Sequence, residues 1–472
     1  MDKKKILGYA LGPIGSGLLG FISLPIITWF YSVEDVGRIS MLQVFTSVTI
    51  IFFCLGLDQA YVREYHESKN KPKLLKMVLT PGLFLSILFF FLIFSYDSEI
   101  ISLWLYDIPS TYLSFITIIC FIIALISKFM SLILRMQERS IAFSMSQILP
   151  KIIFLIVIIN TVWLNFSRDT YNLITANVIS TLVAFLIFSW NTRVEWLLGF
   201  KEKIEKDQLK QAMSFGWPLV FSGIAYWGLN TIDKIFLRNF SSYTELGIYS
   251  VTMSVAAIVT IFSGIFNTIW SPMVYRWIAE DNFDYQKIQK VLNYATAAIY
   301  FFLVLVGLFS WIIPFFLPIN FNEIQYLISV CLLGPLLYTL SEITGIGITI
   351  TRKTKFSMLC TIVAMFFGAV FNYLLIPSLG ATGAAISTSI AFFIFFYLRT
   401  EISNFLWIKG SHFKVFLIMF ILLLTGILNL VLVDYRGELY FFWVFLFLAG
   451  FFIFKDIVKD LIRLIKSTIL IK

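Results

Sequence analysis

The sequence predicts an all-α polytopic membrane protein of about 14 transmembrane helices, arranged as two parallel six-helix bundles followed by two C-terminal helices. Three observations predict it. Hydrophobic residues make up 59% of the 472 and charged residues only 13%, against roughly 25% charged in a soluble domain. Apolar runs of about 20 residues, the length a helix needs to cross a bilayer, recur from one terminus to the other. Short matches also recur at an offset near 210 residues, each at the same place in its half of the chain.

Charged breaks delimit the spans. The first six cover approximately residues 6–30, 39–57, 74–96, 111–134, 146–165 and 172–190. The next six cover 214–237, 248–274, 291–316, 323–350, 356–376 and 382–400, and the last two cover 413–433 and 439–454. This gives an N-terminal bundle in 1–200, a second in 201–412, and two added spans with a tail in 413–472. Backbone groups in lipid must bond internally, and closed barrels have far shorter, alternating segments, so the spans are read as helices. The start, Met1 to Lys5 before a long apolar run, is like a signal peptide. It lacks a small-residue cleavage site, so it is read as an uncleaved first span.

Charge asymmetry supports this topology. With the N-terminus in the cytoplasm, 30 of the 36 Lys and Arg fall on inner segments. Arg38, Arg168, Arg238 and Arg436 fall outside, and Lys128 and Lys234 lie within spans. An excess of Lys and Arg marks cytoplasmic loops, and a miscounted helix would scramble it downstream. The net charge of +9 follows from this bias and needs no nucleic-acid partner. The stretch Lys201 to Asp207 reads as a solvated or headgroup-facing segment. Cys54, Cys120, Cys331 and Cys360 lie in apolar runs without metal-ligand spacing, and His66 and His412 lie in polar loops. No metal, cofactor or disulfide is expected.

The repeat is read from two places. Glu34 to Ser40 matches Thr244 to Ser250 at an offset of 210, and Val178 to Thr181 matches Ala385 to Thr388 at 207. Six helices per half is an even number, so both halves face the same way. Transporters with such parallel repeats bind substrate between them.

In order and spacing, several segments resemble the polysaccharide transporter, or O-antigen flippase, family. These are Glu34 to Gly37, Leu55 to Arg63, Phe215 to Leu219 with Asp233 and Lys234, Glu245 to Ser250, and Asn372 to Pro377 running into Gly380 to Thr388. The resemblance spans about residues 6–400. It implies membership of the superfamily that also holds multidrug antiporters and the peptidoglycan precursor flippase, with a MATE-like fold. It further implies a non-enzymatic flippase of the bacterial inner membrane, with both termini cytoplasmic. Its cargo would be a polyprenyl-pyrophosphate-linked oligosaccharide, an O-antigen or capsule repeat unit. Coupling to H+ or Na+ and contact with other polysaccharide assembly proteins are consistent with that role. The alternative is an ion-coupled multidrug exporter of the same superfamily. Gly37 and Gly247 are read as tight turns re-entering the bilayer, and Gly380 with Gly383 as a close helix contact.

Ionisable groups at membrane depth are costly and therefore functional candidates. Lys128, Ser131, Arg135 and Glu138 follow a 3, 4, 3 spacing, one polar stripe suited to a pyrophosphate. Arg38 and Arg63 cap the second span, and Asn267, Asn372 and Tyr373 complete the expected substrate path. Asp233, Lys234 and Glu342 are the ion-coupling candidates, with Glu342 also read as a structural partner for Lys128.

Overall fold

A computed structural model describes residues 3–279, 284–460 and 463. Every regular element among them is helical. Among the described residues, twelve helices are long and apolar enough to cross a membrane on length and composition alone. The chain divides into two compact units, one formed by Met1–Arg238 with Ser242–Ser250 and the other by Asn239–Ser241 with Val251–Lys472.

The first unit opens with α1 (Lys3–Phe30), which packs along α7 (Ser140–Trp163). Next, α2 (Val33–Cys54) begins on a capping box: the Ser32 hydroxyl accepts from the Asp35 amide (3.1 Å), and the Ser32 amide donates to the Asp35 carboxylate (3.3 Å). Such reciprocal caps satisfy helix-end donors that lipid cannot. Its C-terminal end turns through Leu55 and Gly56, both at positive φ, into the short α3 (Leu57–Glu64). The turn is tight because a Cβ on Gly56 would lie 2.1 Å from the Gly216 carbonyl. Then follow α4 (Lys71–Tyr96), α5 (Ile100–Tyr106), α6 (Thr111–Met136), α8 (Thr170–Asn191) and α9 (Arg193–Lys201). Asn70, Ser110 and Asp169 cap α4, α6 and α8 with side-chain oxygens.

The long α10 (Lys206–Phe240) carries Pro218 and lies against α2, where the Trp227 indole donates to Ser47 (2.9 Å). It is long enough to span but too polar to count among the twelve. Gly37 lies in the first turn of α2, and a Cβ there would sit 2.3 Å from the Tyr243 carbonyl. Reciprocally, a Cβ on Gly247 would sit 2.1 Å from the Val33 carbonyl. Both glycines are helical, so the expected re-entrant turns are instead a close helix crossing. Small residues permit this approach.

The second unit holds most of α11 (Tyr243–Ala279), then α12 (Tyr285–Phe309), two 3-10 turns over 310–316 and 319–321, and α13 (Ile324–Cys331). After these come α14 (Leu333–Thr344), α15 (Ile346–Ile350) and α16 (Lys355–Leu406). The span expected at 323–350 is thus three helical pieces. At 52 residues α16 counts once among the twelve, although Gly380 (φ 52°, ψ −128°) breaks it at the boundary between the two spans expected there. Only glycine enters that backbone region without penalty. Beyond it, a Cβ on Gly383 would meet the Leu375 carbonyl at 2.6 Å. The C-terminal α17 (Phe413–Val431) and α18 (Arg436–Ile453) both pack on α12.

Candidate functional site

Within the first unit, α6 places Lys128, Ser131 and Arg135 on one face because residues three and four apart share a side of a helix. Opposite them α7 presents Ser146, Gln147 and Pro150, and α8 presents Thr181. Together they line a cavity of about 400 Å³. Ser131 and Ser146 hydroxyls bond across it (2.9 Å), and the Arg135 carbonyl accepts from the Tyr9 hydroxyl (3.1 Å). Among the described residues Lys128 has neither a carboxylate in ion-pair range nor a hydrogen-bond acceptor. An unpaired ammonium at this depth costs about 2.5–3.5 kcal/mol on insertion scales. A polar cavity holding water or an anion offsets that cost. Glu138 does not extend the stripe. α6 ends at Met136, and Glu138 occupies the left-handed turn into α7 (φ 57°).

A larger cavity of about 870 Å³ lies among α2, α4, α5 and α6. Phe45, Phe52, Phe53, Phe89, Phe90 and Trp104 dominate its walls. The guanidinium at its edge, Arg238, is spoken for by the Trp104 carbonyl (3.2 Å) and Asp107 (3.8 Å). Its chemistry suits hydrocarbon rather than a sugar or phosphate.

The remaining expected site residues fall elsewhere. Arg38 ties together the end of the first unit where α2 begins. It donates to the Tyr106 carbonyl (3.0 Å) and Thr170 (3.2 Å), lies 3.6 Å from Asp35, and stacks on Tyr243 (5.0 Å). Arg63 is exposed on α3 with its guanidinium over the Phe215 ring (4.5 Å). Neither lines the Lys128 cavity. Asp233 on α10 is 1% exposed and accepts from the Tyr249 hydroxyl, while the Lys234 amide donates to its other oxygen (2.7 Å).

In the second unit Glu342 of α14 forms an ion pair with Arg399 of α16, which also donates to Ser341 (3.2 Å). Thr344 and Thr400 bond one turn further on (2.6 Å). Arg399 thus takes the structural role that the sequence reading offered to Lys128. Asn372 is buried, and its Oδ1 has no partner among the described residues. Tyr373 is exposed beside the Phe240 ring (5.7 Å). Asn267 lies on α11, with its side chain outside the described residues.

Three contributors escaped the sequence reading. Lys151, assigned to an inner loop, lies 11 residues inside α7, about 16 Å along it, and its ammonium donates to the Ser16 carbonyl of α1 (2.6 Å). That depth was countable. Arg399, also assigned to a loop, is only 7% exposed. Tyr249, quoted only within a motif, completes the Asp233 site, and nothing in its spacing pointed there.

Residues 3–280 match the family model described as polysaccharide biosynthesis protein. The chain is 25% identical to the capsular polysaccharide biosynthesis protein CapF of Staphylococcus aureus, over 81% of this chain and 96% of CapF. It is 22% identical to an uncharacterized membrane protein of Haemophilus influenzae, covering 81% and 90%. Among solved structures, the lipid II flippase MurJ in an inward closed conformation superposes with a TM-score of 0.67 at 17% identity, covering 95% of this chain and 98% of MurJ. An inward-facing MATE multidrug transporter of the MOP superfamily gives 0.60 at 12%, covering 84% and 96%. The fold is therefore that of MurJ and the MATE transporters.

Proposed function

We propose, because the chain belongs to the polysaccharide biosynthesis protein family, that it is a flippase moving a polyprenyl-pyrophosphate-linked oligosaccharide across the bacterial inner membrane by alternating access. The observation that carries this reading is the Lys128 cavity. An ammonium without a partner among the described residues, the hydroxyl residues Ser127, Ser131, Ser146 and Thr181, and Gln147 line a space of about 400 Å³, together with Arg135. Pyrophosphate is acceptor-rich and anionic, so it suits donors of this kind, and charge-assisted bonds are stronger in a low dielectric. The prenyl chain would stay in the bilayer. Both termini are placed in the cytoplasm, the topology that the distribution of Lys and Arg favours.

Asp233 with Tyr249 supports a second reading, an ion-coupled exporter of small drugs, since a buried carboxylate can carry a coupling H+ or Na+. A deletion strain separates the two. Lipid-linked repeat units accumulating on the inner leaflet, relieved by the intact gene, support flipping. Unchanged glycans with altered drug tolerance support the exporter. A block in polymer with repeat units already outside refutes both and points to an enzymatic step.

A further inference from the structure

α9 leaves an apolar face that no residue of its own unit covers. Val194, Leu197 and Leu198, followed by Lys201, stand at i, i+3, i+4 and i+7, one stripe of a helix, and all four are exposed. The opposite face is committed to the bundle. Glu195 accepts from the Gln137 amide (3.0 Å), and the Trp196 indole donates to the Ser189 carbonyl (2.9 Å). A Cβ on Gly199 would meet the Pro72 carbonyl at 2.9 Å. Lys76 of α4 fixes the end of α9 by donating to the carbonyls of Phe200 (3.0 Å) and Glu202 (2.6 Å). The helix therefore has no freedom to turn its apolar stripe inward.

We propose that α9 is an interfacial anchor whose stripe enters an anionic phospholipid leaflet, on the inner side in the proposed topology. Two observations select a bilayer as the occupant. The stripe continues the exposed apolar side of α8, where Leu186 and Trp190 precede Val194, so one surface runs from the span onto α9. Charge is also sorted across the segment. Glu195, Glu202 and Glu205 are bonded to Gln137, Asn70 and Lys73 of the bundle, Glu205 from an exposed position, whereas Lys201, Lys203 and Lys206 are exposed and have no acidic partner among the described residues. Arg193 stacks on Trp190 at the other end (4.5 Å). An apolar stripe rimmed by free cations is the pattern of a helix lying in the headgroup region. The inference needs only a membrane and stands apart from the identity of the cargo.

The test is site-directed spin labelling in proteoliposomes of phosphatidylcholine with phosphatidylglycerol, after replacing the four buried native cysteines by alanine. Nitroxides are placed singly by Val194→Cys, Leu197→Cys and Leu198→Cys, with Phe84→Cys on the exposed side of α4 as a lipid reference and Glu67→Cys, exposed in the loop after α3, as an aqueous one. Relaxation by oxygen is expected to exceed relaxation by a water-soluble nickel chelate several-fold at the three stripe positions, as at Phe84, with the order reversed at Glu67. Nickel exceeding oxygen at the stripe, or exclusion of both reagents, overturns the anchor. Omitting phosphatidylglycerol, or combining Lys201→Gln with Lys203→Gln, is expected to lower the oxygen-to-nickel ratio at least two-fold. An unchanged ratio overturns the anionic component. The three positions face away from the bundle, so loss of folding in one leaves two to decide.

Discussion

Replacing Gly247 by alanine should open the helix crossing between the N-terminal turns of α2 and α11. The new Cβ would lie 2.1 Å from the Val33 carbonyl and 2.9 Å from a Val33 side-chain carbon. Real Cβ contacts essentially never fall below 3.0 Å, so α2 and α11 must separate by most of an ångström there. The obstacle is backbone, which cannot rotate away as a side chain can. Overpacking of this kind costs about 1–3 kcal/mol in a close-packed interior. Gly37→Ala meets the mirror-image obstacle at the Tyr243 carbonyl, 2.3 Å away, and should cost a similar amount. Because one separation relieves both clashes, the double variant should cost clearly less than the two singles together. Gly264→Ala is the control. Its Cβ would meet nothing within 4 Å among the described residues, and alanine in a helix interior gains about 0.5–1 kcal/mol over glycine. Apparent Tm in detergent or nanodiscs reads all four variants. A Gly247→Ala variant that melts with the wild type, or a double variant that loses at least the sum of the singles, would refute a backbone-limited crossing.

Other outcomes follow from the charges. Lys128→Met should leave the melting temperature unchanged or raised, since no partner is lost, yet weaken binding of a pyrophosphate-linked lipid by about 10–100-fold, the worth of a charge-assisted contact. Full complementation of a deletion strain by this variant would remove the cavity from the mechanism. Arg399→Met strands Glu342 beside Ser341 and should destabilise by about 3–5 kcal/mol, with Glu342→Gln in the same chain recovering most of the loss in a thermal melt. His412, in the connector before α17, is buried and takes a bond from the Asn404 amide on Nδ1 (3.1 Å). Burial pushes its pKa below the ordinary 6.5, against the opposing pull of Glu401 and the Gly410 backbone. The unfolded chain then binds this proton more readily, so the associated stability is complete above pH 6.5 and fades as pH falls below it. His412→Asn should flatten that acid limb of a stability–pH curve, and an unaltered limb would assign it to other groups. Asp233→Asn tests ion coupling: if substrate movement in vesicles still responds equally to an imposed H+ or Na+ gradient, Asp233 is not the coupling group.

How much of this was legible in the sequence depends on the kind of information each feature carries. Depth along the membrane normal is nearly one-dimensional, so apolar run length and the sidedness of Lys and Arg indicated a polytopic helical chain from residues alone. The face on which a residue lies within one helix was also readable, and the Lys128, Ser131 and Arg135 stripe stands where the 3, 4 spacing put it. Its extension to Glu138 failed because a helix end is a matter of caps and left-handed residues, which hydropathy does not register. Gly37 and Gly247 failed differently. A glycine needed for a positive φ and one needed for close approach look identical in sequence, and only the carbonyls of Tyr243 and Val33 distinguish them.

Partner choice is the information that sequence holds least, and it decides which buried charge is scaffold. Lys128 and Glu342 both stand within helical stretches of membrane-spanning length, and depth alone ranks them as equal candidates, while Arg399 was read as a loop residue. Glu342 and Arg399 meet through a hydroxyl-flanked contact between α14 and α16, so their charges cancel where they stand. Lys128 faces a cavity with no such neighbour among the described residues. A pair tolerates burial without a ligand, whereas a lone ammonium is stabilised only by what enters the cavity. The lone charge is therefore the one whose stability should rise when an anionic headgroup is supplied. A pyrophosphate-bearing lipid should raise the apparent Tm of the wild type and fail to raise that of Lys128→Met. Equal shifts in both proteins would mean that the anion binds elsewhere.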